Sequence, residues 1–462
     1  MRVLLRHQPS PEQIAIINRI RAGVTIIRGA AGSGKTTTAL LSLRASTGTT
    51  VNQLRTAGAL PAKVLVLTYN NSLRGYIEQV AEDELDGYGD ELDLTISTFD
   101  KWAYDWTGLK NIALDSTKAR LNQLAAGFPR DRQFTIDEVN YLLGRFGPNN
   151  LGDYVTAARA GRGASPQMDG PTRERLLQEV VAPYLEFKIQ NGLVDFHDLA
   201  VAMITADAPR YDVIVVDEAQ DLSANQLRAI MAHVADGGIV TFVTDTAQRI
   251  YPRGTTWVEC GIDAQRTLSL RTNYRNTVQI ASLAAALAAG LPADPDATPP
   301  DPTRCVSQGP LPVVLKGLFR DQVAFALARL AEIDLENETV AFLHLRGGGW
   351  FDWLKGQLGS AGLAHCNLQG VHEWPVGEGN IGLTTIHSAK GLEFDHVFLI
   401  GLSSDHAPHG EGDDDEQMIN MRRLLAMAVG RARQSVTIGM KEGEELDILA
   451  AVDPTLYDYR EV

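Results

Sequence analysis

Cysteine is scarce. Cys260, Cys305 and Cys366 are the only three in 462 residues, and no two share a CxxC spacing. So few cysteines support neither a disulfide framework nor a cysteine-based zinc site. Long apolar runs are missing as well. Nothing approaches the roughly eighteen apolar residues of a membrane span. The opening MRVLLRHQPSPEQ also lacks the apolar core of a secretory leader. A cytoplasmic protein with no membrane partner is expected. Positive charge is in deficit, with 42 Lys and Arg against 57 Asp and Glu, a net charge of −15. This argues against wholesale coating by nucleic acid but leaves room for a local basic groove on an acidic body. No internal repeat marks a solenoid.

What is present is globular composition, 44% hydrophobic and 21% charged, which excludes a disordered or fibrous chain. The length is about three times the ~150-residue domain prior and predicts two to four packed units. Short β-branched runs alternate with amphipathic stretches, the pattern of a parallel α/β sheet. Strands are expected at Val24–Ile27, Val64–Thr68, Leu94–Ser97, Val213–Val216 and Val240–Val243. A second series follows at Val313–Lys316, Val340–Leu345, Ile381–Thr385, Val397–Gly401 and Val436–Met440. Between Lys101 and Leu199 helical periodicity replaces the strand signal, as in Arg173–Gln190. The expected organisation is a first lobe from residues 1–104 and 200–265, a helical insertion at 105–199, and a second lobe at 266–462. Proline and aspartate make 291–312 an irregular loop. The acidic run 411–416 reads as a solvated loop.

Chemistry enters at Gly29-Ala-Ala-Gly-Ser-Gly-Lys35-Thr36, which fits GxxxxGK[ST] between an apolar strand and a helical run. Gly29, Gly32 and Gly34, with Ser33 between them, let the backbone curl so that its N–H groups face phosphate oxygens. Lys35 adds a charge on the β- and γ-phosphates, and Thr36 offers a hydroxyl to Mg²⁺. A second carboxylate source follows in VIVVDEAQD, an apolar strand ending in Asp217 and Glu218. There Asp217 is expected to hold the Mg²⁺ water shell while Glu218 reaches the attacking water as general base.

With DEAQD beside the phosphate loop, the chain resembles superfamily 1A helicases of the UvrD/Rep type. The likeness continues in order. Gln13 in PSPEQIAII precedes the phosphate loop. VLVLTYNNSL (Thr68, Tyr69, Asn70) and STFDKW (Thr98, Phe99) resemble two strand-contacting motifs. FVTDTAQRIY (Asp245, Gln248, Tyr251) resembles the motif that couples γ-phosphate to DNA. LRTNYRN (Asn273, Tyr274, Arg275), TTIHSAKGLEF (Thr385, His387, Lys390, Gly391, Glu393) and MRRLLAMAVGRARQ (Arg423, Arg431) complete it.

The resemblance implies an α/β fold of two RecA-like P-loop NTPase lobes with ATP and Mg²⁺ between them. Lys35, Glu218, Gln248, Arg275 and Arg431 would be catalytic, with Thr36 and Asp217 on the metal. Gln13, Thr37, Tyr274 and Glu393 would join the phosphate loop in holding the nucleotide. Thr68, Tyr69, Asn70, Thr98, Phe99, Tyr251, Thr385 and His387 would meet nucleic acid. The implied activity is an ATP-dependent, 3′→5′ translocase or helicase on single-stranded DNA or a single-strand/duplex junction. Its settings would be repair, recombination or defence, with a separate nuclease or repair subunit as partner. An alternative is a nucleic-acid-sensing regulatory ATPase subunit without processive unwinding. A P-loop kinase or metabolic ATPase is disfavoured by the second-lobe motifs.

The chain departs from the family at several positions. Thr37 replaces an adenine-packing arginine, and Ser72, Asp100, Thr244, Ala426 and Gly430 replace other family residues. Only residues 363–380 stand where relatives insert a large helical domain, so a compact second lobe is expected. Trp102, Trp257, Trp350 and Trp353 have no motif role, and core packing is expected for them.

Overall fold

The computed structural model describes residues 1, 9–29, 32–68, 74–75, 77–78, 81, 85–159, 168–244, 256–291, 301–371, 374–404, 416–450 and 452–462. The first sheet contains β1 (Gly23–Gly29), β2 (Ala62–Thr68), β3 (Leu92–Thr98), β4 (Tyr211–Val216), β5 (Val234–Thr244) and β6 (Arg266–Leu270). Their spatial order is β3-β2-β4-β5-β1-β6, and every pairing is parallel. A short pair, β7 (Asn273–Thr277) and β8 (Cys305–Ser307), leads into the second lobe. There β9 (Val313–Gly317), β10 (Val340–His344), β11 (His365–Asn367), β12 (Ile381–Thr385), β13 (Phe394–Leu402), β14 (Ala432–Lys441) and β15 (Asp458–Glu461) form the second sheet. Its order is β11-β12-β10-β13-β14-β9-β15, again parallel throughout.

Helices cover these sheets, which is why the strands read as nearly continuous apolar runs. In β2 and β4 alternate residues part to opposite faces. Leu65, Leu67, Ile214 and Val216 pack with Trp102, Leu199 and Ile230. Val64, Val66, Val213 and Val215 join Leu43 on the other face, in a core that continues into the second lobe through Leu283, Leu399 and Leu425. The two lobes therefore share apolar packing.

All ten expected strands form, most of them with longer ends. The boundary after residue 265 is corrected, because β6 pairs with β1 and completes the first sheet. The helical insertion has its own core of Leu121, Phe134, Leu142, Leu176 and Tyr184. Helices Phe99–Thr107 and Phe196–Met203, by contrast, pack into the first lobe. The expected loop 291–312 holds a short turn and β8, while 292–300 and 411–415 lie outside the described residues. Between Arg275 and Thr384, helices Val278–Ala288, Phe319–Leu330 and Gly349–Ser360 pack on the second lobe. Among the described residues there is no separate helical domain in that interval. Trp102 is core as expected, and Trp257 packs against Phe242 at 5.2 Å. Trp353 is 41% exposed, which corrects its assignment to the core. Among the described residues no helix is long and apolar enough to cross a membrane.

Candidate active site

The site forms at the carboxyl ends of β1 and β4, where open parallel sheets collect ligands. Beyond Gly29, the last residue of β1, the chain reaches Gly32 and Gly34, both at φ +78°, and then helix Lys35–Ala57. A Cβ on Gly32 would stand 2.0 Å from Asn273 Oδ1, and one on Gly34 would stand 2.7 Å from Gln13 Nε2. Close approach and left-handed backbone both require glycine here. No side chain caps this helix, so its positive end can receive an anion. Ser33 is buried, while Lys35, Thr36 and Thr37 are half-buried on the first turn. Gln13 closes a capping box with Ser10. Its Nε2 donates to Gly34 O at 3.3 Å and Thr38 Oγ1 at 3.2 Å, bracing the phosphate loop from behind.

Asp217 accepts a hydrogen bond from Thr36 Oγ1 at 2.8 Å and from the N–H of Glu218 at 2.9 Å. Glu218 is the one non-glycine at positive φ (+54°) among the described residues. This uncommon backbone ends the strand's alternation and lets two adjacent acids occupy one site. Their environments act in opposite directions. Burial first, then the charge of Glu218, push Asp217 up to about 6. For Glu218 burial is again the largest influence and works upward. Lys390, Lys35 and Arg431, with a hydrogen bond from Gln220, outweigh it and hold the carboxyl below its ordinary value. Asp217 is thus a carboxylate short of positive charge, whereas Glu218 is ionised and able to take a proton. One hydroxyl and one carboxylate suit Mg²⁺, which keeps waters and phosphate oxygens as its other ligands. Among the described residues no three His, Cys, Asp or Glu gather as a metal cluster.

The second lobe supplies the positive side. Tyr274 and Arg275 donate their N–H groups to Gly32 O at 3.0 and 3.3 Å, so β7 rests on the phosphate loop. Asn273 Oδ1 accepts from the N–H groups of Arg275 and Asn276, each at 3.0 Å. Asn276 Nδ2 reaches Gly430 O at 3.1 Å and Ala432 O at 2.6 Å, the residues flanking Arg431. Arg275 is paired with Glu393 and donates to Gly430 O at 3.4 Å. Burial acts upward on Glu393, yet Arg275 ahead of Arg433 and Arg431 keeps its pKa lowered. Arg431 is 2% exposed and donates to Met427 O at 3.2 Å and Leu392 O at 3.4 Å. Tyr274 is exposed.

Across the lobes, Lys390 Nζ meets Asp221 Oδ2 at 2.5 Å, with both side chains fully buried. Removing one partner of such a pair is strongly destabilising. Lys390→Met should lower unfolding stability by about 3–5 kcal/mol, read as the urea midpoint. Asp221→Asn added to it should recover most of the loss. An unchanged midpoint in the single variant would show that the pair is not buried in solution.

The predicted nucleic-acid contacts fare unevenly. Phe99 is 2% exposed and packs edge-on to Trp102 at 5.7 Å, so its expected contact with nucleic acid is corrected. Thr68 is buried at the end of β2. Thr98 caps helix Phe99–Thr107 through Lys101 N–H at 3.4 Å. Thr385, 7% exposed, bonds Ser388 Oγ at 3.0 Å. His387 is exposed, and partial desolvation followed by the charge of Lys390 lowers its pKa. Tyr69, Asn70, Asp245, Gln248 and Tyr251 lie outside the described residues. The supporting roles of Asn276, Asp221 and Lys390 were missed, because side-chain bonds between distant segments leave no period in a sequence. The paired asparagines of NYRN were the available signal.

Two parallel-sheet lobes, a glycine loop opening a helix, and cations converging from the second lobe define a two-lobed P-loop NTPase. The AAA domain family matches residues 12–253, more than half of the chain, and the UvrD-like helicase C-terminal domain matches residues 360–443. The chain belongs to the UvrD/Rep-like helicase family, with an AAA domain first and a UvrD-like helicase C-terminal domain after it. ATP-dependent DNA helicase Rep of Escherichia coli K12 is 30% identical over 78 residues, 17% of this chain and 12% of that protein. A probable DNA helicase of Mycoplasma pneumoniae is 23% identical over 290 residues, 58% of this chain and 52% of that one. ATP-dependent DNA helicase PcrA of Staphylococcus aureus Mu50 is 39% identical over 64 residues, 13% of this chain and 9% of that protein. The chain thus spans about half the length of one relative and far less of the other two.

Proposed function

We propose that the chain is an ATP-driven translocase or helicase on single-stranded DNA, moving 3′→5′, in repair, recombination or defence. The observation that carries this reading is the meeting of the two lobes at the acidic end of β4, where Lys390 of one pairs with Asp221 of the other at 2.5 Å and Glu218 feels the charges of Lys390 and Arg431. Lys35 and the N–H groups of the phosphate loop take the phosphates of ATP. Thr36 and Asp217 would hold Mg²⁺, which when bound would offset phosphate charge. Glu218 takes a proton from the attacking water. Arg275 and Arg431 face the γ-phosphate, and Tyr274, exposed beside the loop, stacks on the base. Because the cations belong to the second lobe, nucleotide occupancy and lobe position are coupled, which is the physical requirement for a strand motor. Gln248 and Tyr251 would carry that coupling to the strand.

ATP turnover measured with and without single-stranded DNA and RNA tests this directly. DNA should raise the rate severalfold, most at low salt, where phosphate contacts are strongest. Brisk hydrolysis indifferent to nucleic acid would remove the coupling.

The regulatory-subunit reading has one favouring observation. Phe99 and the threonines at positions 68 and 385 are buried, which thins the expected strand-contacting face. Activity appearing only with a nuclease or repair partner would select it.

A further inference from the structure

A second concavity lies on the second lobe. Phe319, Trp350 and Trp353 wall a cavity of about 680 Å³, with Arg320 and Arg346 on its rim. It stands just beyond the carboxyl ends of β9 and β10. Its volume is within the roughly 300–1,000 Å³ of small-ligand pockets. The aromatic wall is built, not fluid. Phe319 meets Trp350 edge-on at 4.3 Å and Trp353 at 5.3 Å. His344 lies 5.3 Å from Trp350, and its Nδ1 accepts the N–H groups of Arg346 and Gly347 at 3.1 and 2.9 Å. The turn that presents Arg346 is therefore tied to the ring that walls the cavity. Yet Trp353 is 41% exposed, and neighbouring Leu318 is 44% exposed. Clustered exposed apolar side chains of this kind mark binding surfaces.

Charge and position select the occupant. Arg320 is exposed and shared with Asp321 at 3.3 Å. Arg346, also exposed, has no carboxylate partner among the described residues. Strand β10 pairs with β12 so that His344 stands opposite Thr385. The cavity is thus one strand away from Thr385 and His387, on the same edge of the sheet. Flat aromatic faces beside a guanidinium are how single strands are held without regard to sequence, by base stacking and phosphate contact.

We propose that this cavity stacks one unpaired base of a bound single strand, with Arg346 meeting the adjoining phosphate. The inference rests on the single-strand reading above.

The test is equilibrium binding of the full chain to a labelled oligodeoxythymidylate and to an abasic oligomer with the same phosphodiester backbone. Wild type should prefer the base-bearing oligomer. Trp353→Ala should weaken that oligomer about 5- to 150-fold, the equivalent of one stacked base, and leave the abasic one unchanged. Arg346→Ala, on the exposed rim where the fold is not at risk, should weaken both alike. It should also reduce the slope of log affinity against log salt by about 0.7. If wild type prefers the base-bearing oligomer and both variants bind as wild type does, the cavity is not a base site and the strand-binding reading stands. If wild type binds neither oligomer, that reading falls and the cavity assignment falls with it.

Discussion

Glu218→Gln should slow ATP hydrolysis about 10²–10⁴-fold while ATP stays bound. The glutamine amide has nearly the same shape and can still accept from Gln220, so the left-handed turn after β4 is not disturbed. What disappears is a carboxylate whose pKa is held low by Lys390, Lys35 and Arg431. Nucleotide affinity should not fall with it. The charge of Glu218 is part of what raises Asp217, so neutralising it lets Asp217 ionise more readily and strengthens the metal side of the site. Single-turnover hydrolysis and binding of a fluorescent ATP analogue separate the two effects. Hydrolysis at the wild-type rate would remove Glu218 from the role of base.

Arg431→Ala should cost roughly 10³–10⁵ in turnover, the range of arginine fingers in phosphoryl transfer, with a smaller loss of ATP binding. Arg431 belongs to the second lobe, yet its charge is felt by Glu218 in the first. It is also buried and bonded to the carbonyls of Met427 and Leu392, so alanine changes packing as well as charge. Arg431→Lys separates these contributions because it keeps the charge and loses the planar fork. If Arg431 acts on the γ-phosphate, the lysine variant should melt near wild type and still turn over slowly. Were its role only structural, both variants would lose melting temperature and keep their rate at temperatures below the transition.

Much of the fold was legible because its signals are local. A run such as VLVLT or VIVVD is apolar over a strand's length, and each of the ten expected strands forms. The phosphate loop was legible for the same reason, since strand, glycines, lysine and helix are contiguous. Residues 266–270 were placed in the second lobe and no strand was read there, because RTLSL is short and half polar, and only its pairing with β1 decides membership. The aromatics failed in both directions. Phe99 is core and Trp353 is exposed, the reverse of the motif-based expectation. Exposure depends on what the rest of the chain places over a ring.

The sequence by itself determined the chemistry available: a phosphate loop, a strand ending in two acids, two arginines downstream and an acidic body around them. Each is a short contiguous pattern whose physics is complete within a few residues. The tertiary structure decided how that chemistry is poised. Asp217 and Glu218 are neighbours in the chain, yet one is raised and the other lowered. The difference comes from Lys390 and Arg431, far along the chain and on the other lobe. Charges act through distance in space and through the dielectric around them, and neither is set until the two lobes are packed together.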